Sequence, residues 1–195
     1  MRTITGLYDT YEHAAAAVRL LKDAGIPSSD ISIVANNADG KVGEVHEGTE
    51  TNAATGAGVG VATGAGVGLL AGLGALAIPG IGPVVAAGWL LSTAVGAAIG
   101  AASGGILGAL MKAGVTEEDA HVYAEGIRRG GSLVTARVDD ARADSAEAIL
   151  RSSNGVDIGS RRKDYAKEGW ERFNETAEPM AMGVPPVAAS SVGRI

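Results

Sequence analysis

Side chains able to do acid–base, nucleophilic or metal chemistry are sparse in this sequence. Its three histidines, His13, His46 and His121, stand on unrelated segments, and none has a second ligand at metal-binding spacing. Cysteine is absent, which excludes disulfides, thiolate metal sites and a cysteine nucleophile. Asp9, Glu12, His13, His121 and Tyr123 remain, in no recognisable catalytic spacing. Asp9 with Glu12 reads as a helix cap, and Tyr123 with Arg128 and Arg129 as an exposed helix surface. The expectation is therefore a protein that is not an enzyme, with no catalytic residues, no metal, no cofactor and no identified small-molecule substrate. A regulator that uses its sheet as a small-molecule platform is the lesser alternative.

Glycines open a second chemical question, because phosphate-binding loops are glycine-rich. A dinucleotide fingerprint needs G-x-G-x-x-G after a strand and an acidic residue about twenty positions on. Gly56-x-Gly58-x-Gly60 misses that spacing, no acid follows until Glu117, and no Gly-Lys-Ser/Thr ending is present. The net charge of -6 and pI near 5.1 argue against a nucleic-acid partner, which needs clustered Lys and Arg.

The elements around these residues come from local pattern. Thr3 to Tyr8 reads as a strand, with no secretory leader expected before it. Asp9 and Glu12 start a helix whose face is Tyr11, Ala14, Ala15, Val18 and Leu21, and Gly25 ends it. Pro27 to Asp30 is turn chemistry, and Ile31 to Ala35 is a second strand. Thr116, followed by three acids, begins a helix that closes at Arg128 and Arg129 before two glycines. Val134, Ala136 and Val138 alternate as a third strand. Asp144 and Glu147 cap a further helix that Gly155 ends, before a brief Val156 to Ile158 strand. Without residues 37–130 the order is strand, helix, strand, strand, helix, strand, the split βαβ pattern of an α+β, ferredoxin-like sandwich. The expected organisation is a discontinuous ferredoxin-like domain at 1–36 and 131–160, a polar loop at 37–53, an inserted unit at 54–112 and a connecting helix at 116–129. An amphipathic segment at 161–175 and a disordered tail at 176–195 complete it.

The insertion carries no charge between Glu50 and Lys112. Within it Gly56, Gly60, Gly64, Gly68 and Gly72 recur every fourth residue, and Gly88, Ser92, Gly96, Gly100, Gly104 and Gly108 repeat the register. Glycine costs roughly 1 kcal/mol against Ala in a helix, so this register needs a packing reason. Small residues four apart form a stripe on which another backbone approaches closely. The pattern predicts a glycine-zipper helical hairpin, with arms at 54–77 and 84–112 and a turn at Pro79, Gly80, Gly82 and Pro83. Arms of about 36 and 43 Å would cross a hydrocarbon core of about 30 Å. The greasiest residues, Leu69 to Leu91, straddle the turn, which suits tip-first insertion into lipid; hairpins buried together in a soluble homo-oligomer are the alternative. Trp170 and Phe173, flanked by Arg and Lys, read either as aromatics packed on the domain or as an interfacial anchor.

Gly-Leu-Tyr-Asp-Thr-Tyr-Glu (6–12) and Ala-Gly-Ile-Pro-Ser-Ser-Asp-Ile-Ser-Ile-Val (24–34) resemble the bacterial general stress protein family with the YflT-like heat-induced stress protein domain. Residues 71–83 and 118–131 are similar to its glycine-zipper relatives, so the likeness spans about 3–175 and leaves the tail outside. The resemblance implies a bacterial, stress-associated, non-enzymatic protein and brings no catalytic residues with it. The joint expectation is self-assembly as a homo-oligomer, association with membrane lipid, or both, at the cytoplasmic membrane with the ferredoxin-like domain in the cytoplasm. A wholly cytoplasmic scaffold is the alternative.

Overall fold

The computed structural model describes residues 1–38, 74–90 and 105–177. They form one five-stranded antiparallel sheet between two layers of helices. β1 (Arg2–Tyr8) and β2 (Ile31–Asn36) do not pair with each other. β5 (Ser132–Val138) lies between them, in register from Arg2 opposite Val138 to Tyr8 opposite Ser132, and from Ile31 opposite Ala136 to Ala35 opposite Ser132. β1 and β2 are thus near neighbours in one direction, as a helical crossover requires. On the far side of β2 a hairpin of β3 (Gly74–Ile78) and β4 (Gly82–Ala87) completes the order β1-β5-β2-β4-β3.

That hairpin corrects the expected helical one over its central residues. Ile78 to Val85 is a short apolar run, which suits a buried strand as well as a buried helix. Its β-branched residues and Pro-Gly punctuation, together with the open edge of β2, favour the strand, where β4 finds ladder partners on both β2 and β3. The turn has Pro79 second and Gly80 third, at φ 74°, with the Ile81 N–H donating to the Ile78 carbonyl at 3.0 Å. Nor is this turn a free tip. Ile78, Ile81 and Val84 are buried in the core, so tip-first insertion has no tip to insert. The remaining arms, at 54–73 and 91–104, lie outside the described residues, and among the described residues no helix is long and apolar enough to cross a membrane.

Both sheet faces are covered. On one, Ile4, Tyr8, Ile31, Ile33, Val134 and Ala136 meet α1 (Tyr11–Asp23) through Val18 and Leu21, and α4 (Asp140–Ser152) through Ala143 and Leu150. On the other, Leu7, Val34, Val84 and Leu133 meet α2 (Gly105–Lys112) through Ile106 and Leu110, and α3 (Glu117–Arg128) through Ala120, Ala124 and Ile127. This explains why all six residues of β2 are buried, polar ones included. Ser32 and Asn36 are satisfied: Ser32 Oγ accepts from the Leu90 N–H at 2.8 Å, and Asn36 Nδ2 donates to the Ile127 carbonyl at 2.9 Å.

The class is α+β, with two departures from the ferredoxin-like plan. Helices cover the second face, and Val156 to Ile158 forms no strand. A single bond remains there, from the Val156 N–H to the Leu7 carbonyl at 2.8 Å, because Asp157 already caps α5 (Ile158–Lys167) by accepting from the Ser160 N–H at 2.7 Å. Two caps also shift. Thr10, not Asp9, caps α1 by accepting from the His13 N–H, and α4 begins at Asp140, a turn before Asp144. Thr116 caps α3 through its hydroxyl, which accepts from the Asp119 N–H at 3.2 Å.

Candidate functional site

The residues after α5 build one wall of a cleft. The helix ends at Gly169, φ 84°, and the Trp170 N–H donates to the Tyr165 carbonyl at 3.0 Å, turning the chain back across the second core. Trp170 packs edge-on to Tyr165, ring centroids 5.5 Å apart, and Phe173 is buried among the core residues at 4% exposure. Asn174 and Glu175 then cross the β3–β4 turn so closely that a Cβ on Gly80 would lie 2.6 Å from the Asn174 carbonyl oxygen. Only glycine fits there.

Between this segment and the α2–α3 pair lies a cleft of about 730 Å³. Leu107, Met111 and Ala120 give it apolar walls, and Glu117, His121 and Arg172 its polar ones. Arg172 Nη2 lies 3.0 Å from His121 Nε2 and 3.5 Å from Glu117 Oε1. A guanidinium only donates, so His121 Nε2 accepts and the ring is neutral, its proton on Nδ1. Nδ1 is buried with no hydrogen-bond partner. Burial first, and the Arg172 charge second, push the His121 pKa below its usual value, against the opposing pull of Glu117 and Glu175.

A charge network fastens α5 beside this cleft. Glu125, 1% exposed, accepts from Arg129 Nε at 2.7 Å and pairs with Arg128 at 3.3 Å. Arg129 also pairs with Glu168, and its guanidinium sits 4.1 Å above the Tyr165 ring. Arg161 reaches Asp9 at 2.7 Å. A smaller groove of about 330 Å³ follows the outer edge of β1, where the Tyr123 hydroxyl donates to the Thr5 carbonyl at 3.3 Å.

These positions redraw the residues singled out for chemistry. Tyr123 is buried rather than exposed, and Arg128 and Arg129 are tied down by Glu125. His13 Nε2 meets Asn154 Nδ2 at 3.0 Å, in an exposed contact. Among the described residues no three His, Cys, Asp or Glu are grouped to hold a metal ion. Phe173 is buried and Trp170 half-buried against the core on the second sheet face. Of the glycine register, Gly88 and Gly108 are described, while Gly56, Gly60, Gly64, Gly68, Gly72, Ser92, Gly96, Gly100 and Gly104 lie outside the described residues. Gly108 sits half-buried in α2. Gly88 is not helical: it ends β4 at φ 94°, where a Cβ would stand 2.2 Å from the Ile31 carbonyl oxygen. Sequence reasoning missed the His121–Arg172 contact, since residues so far apart carry no spacing signal.

Residues 3–77 match the family model of the heat induced stress protein YflT domain. Over this stretch the chain is similar to the YflT family. No curated protein and no solved structure matches it. The YflT match runs from β1 through α1 and β2 into β3, and stops short of β4 and β5. Yet β1 pairs with β5, and β2 with β5 and β4, so the YflT segment forms its sheet with strands from beyond its own boundary.

Proposed function

We propose that this stress-associated protein is not an enzyme and that it self-assembles as a homo-oligomer through its glycine-register segments, which the α/β platform presents. The platform is read as a ferredoxin-like split βαβ core, β1-α1-β2 with β5 and α4, widened by the β3–β4 hairpin and roofed by α2 and α3. The observation that carries the proposal is the pinning of the uncharged block at its middle. Leu90 is held by Ser32, the Trp89 indole N–H donates to the Asp30 carbonyl at 3.2 Å, and the Arg137 guanidinium lies 4.8 Å from the Trp89 ring centre. Gly88 seats the same bend against β2.

Two small-residue stretches, 51–73 and 91–104, therefore connect elements of one folded body. Residues 91–104 would make even a full helix only about 21 Å long, short of a hydrocarbon core of about 30 Å. That favours protein partners over a bilayer for this stretch, and the recurring glycines supply close-approach faces for them. Lipid association through the uncharged residues 51–73, long enough to span about 30 Å as a helix, is the second reading.

Full-length protein purified without detergent, mixed with phosphatidylglycerol-containing vesicles and floated on a density gradient, separates the two. Self-assembly predicts a soluble multimer that stays at the bottom and that chemical cross-linking captures; Gly64→Leu and Gly100→Leu lower its order while far-ultraviolet dichroism is kept. Flotation of the wild type supports the lipid reading, and an uncross-linked monomer at the bottom overturns both.

A further inference from the structure

The contact between α3 and the segment after α5 is built so that one proton reverses its sign. We propose that the His121–Arg172 pair is an acid-sensitive latch: protonation of His121 releases residues 170–176 from the second core and uncovers the apolar surface around Ile81 and Phe173.

The latch rests on which atoms face each other. Arg172 is a permanent donor, and at 3.0 Å it needs a lone pair on His121 Nε2. A protonated imidazole has none; its Nε2–H would point at a guanidinium, replacing a hydrogen bond with two like charges. His121 is nine-tenths buried, so the charge could not be quenched by solvent without the segment moving.

The groups facing His121 decide which way the balance tips. From α3 itself comes Glu117, its Oε1 3.8 Å from His121 Nε2. From the segment come Arg172 and the carboxylate of Glu175, with Glu171 on the same cleft. α2 contributes only Leu107 and Met111, without charge. Glu117 is already shared with Arg172 at 3.5 Å, so a protonated His121 competes with Arg172 for it and frees the arginine end. Among the described residues, the rest of the segment is held near this point by packing: Phe173 in the core and Asn174 and Glu175 over Gly80. The α5 end stays fixed by the Glu125–Arg129–Glu168 network, which makes residues 170–176 a flap hinged at Gly169.

The test uses the full-length protein with Trp89→Phe, leaving Trp170 as the single indole. Acrylamide, a neutral quencher, reports access to Trp170 without responding to charge. The latch predicts that quenching rises severalfold as pH falls from ~8 to ~5, the range in which histidine titrates, while far-ultraviolet dichroism stays constant. His121→Gln, which never charges, abolishes the rise, and His121→Lys shows high quenching already at neutral pH. Trypsin cleavage after Arg172 accelerates over the same range in the wild type, which reads release without any variant at position 121. An unchanged pH profile in His121→Gln, a flat wild-type profile, or a loss of dichroism that accompanies the quenching overturns the proposal.

Discussion

Gly88→Ala distinguishes two architectures by the sign of its effect. Were residue 88 on a helical stripe, alanine would replace the poorer helix former and stabilise the protein by up to about 1 kcal/mol. In the sheet the same change meets two penalties. The backbone is at φ 94°, in the left-handed half of the map, where an L side chain costs roughly 1–2 kcal/mol. The new Cβ would also stand 2.2 Å from the Ile31 carbonyl oxygen and 2.8 Å from Ser32 Cα. Both are backbone atoms of the central strand, so relief requires β4 to move off β2, a strain of about 1–3 kcal/mol. The sum is a destabilisation of about 2–5 kcal/mol by these two costs, read as a lower urea midpoint at unchanged slope by tryptophan fluorescence and dichroism. A midpoint equal to or above the wild type refutes the placement of Gly88 against β2.

Four further outcomes follow from named contacts. Glu125→Ala leaves two guanidiniums, each about four-fifths buried, without their shared carboxylate; since Arg129 keeps Glu168, the loss is about 2–3 kcal/mol, below the 3–5 kcal/mol of a fully orphaned pair, and a double-mutant cycle with Arg129→Ala detects the coupling. Leu133→Ala empties a side chain 1% exposed on β5 and costs about 2–5 kcal/mol by calorimetry. A fragment ending at residue 77, the whole YflT match, stays unfolded in a nitrogen–proton correlation spectrum, because β1 and β2 lack β5 between them. The folded-state pKa of His121 lies below its unfolded value, so the fold binds fewer protons than the open chain. Its stabilisation is complete above the unfolded value near 6.5 and declines as pH falls toward the folded one; denaturant midpoints measured across that window fall with pH in the wild type and flatten in His121→Gln.

Much of the platform was legible because its signals are local. Thr3 to Tyr8, Ile31 to Ala35 and Ser132 to Val138 alternate, and Thr116 with its three acids announces a helix. Residues 74–87 were not, since an apolar run around Pro79 and Gly80 carries no period long enough to separate strand from helix. The partner that decides it, the free edge of β2, is invisible from inside the run. The second helical layer was hidden for a related reason. Ser32 and Asn36 look like the solvent side of a strand, and only distant donors and acceptors, Leu90 and Ile127, make their burial tolerable. The cleft depends wholly on tertiary meetings, His121 with Arg172 and Gly80 with Asn174, each a contact between separate elements. The spacing puts Gly88 in a helical repeat and Gly80 in a turn; Gly80 does turn the chain, and both serve close backbone approach.

Assembly through the glycine register is tested most directly by sedimentation velocity of the full-length protein in detergent-free buffer. A discrete species of several subunits, converted to a smaller one by Gly64→Leu with Gly100→Leu at unchanged dichroism, is the expected result. A wild-type boundary at the mass of a single chain, across the accessible concentration range, contradicts it.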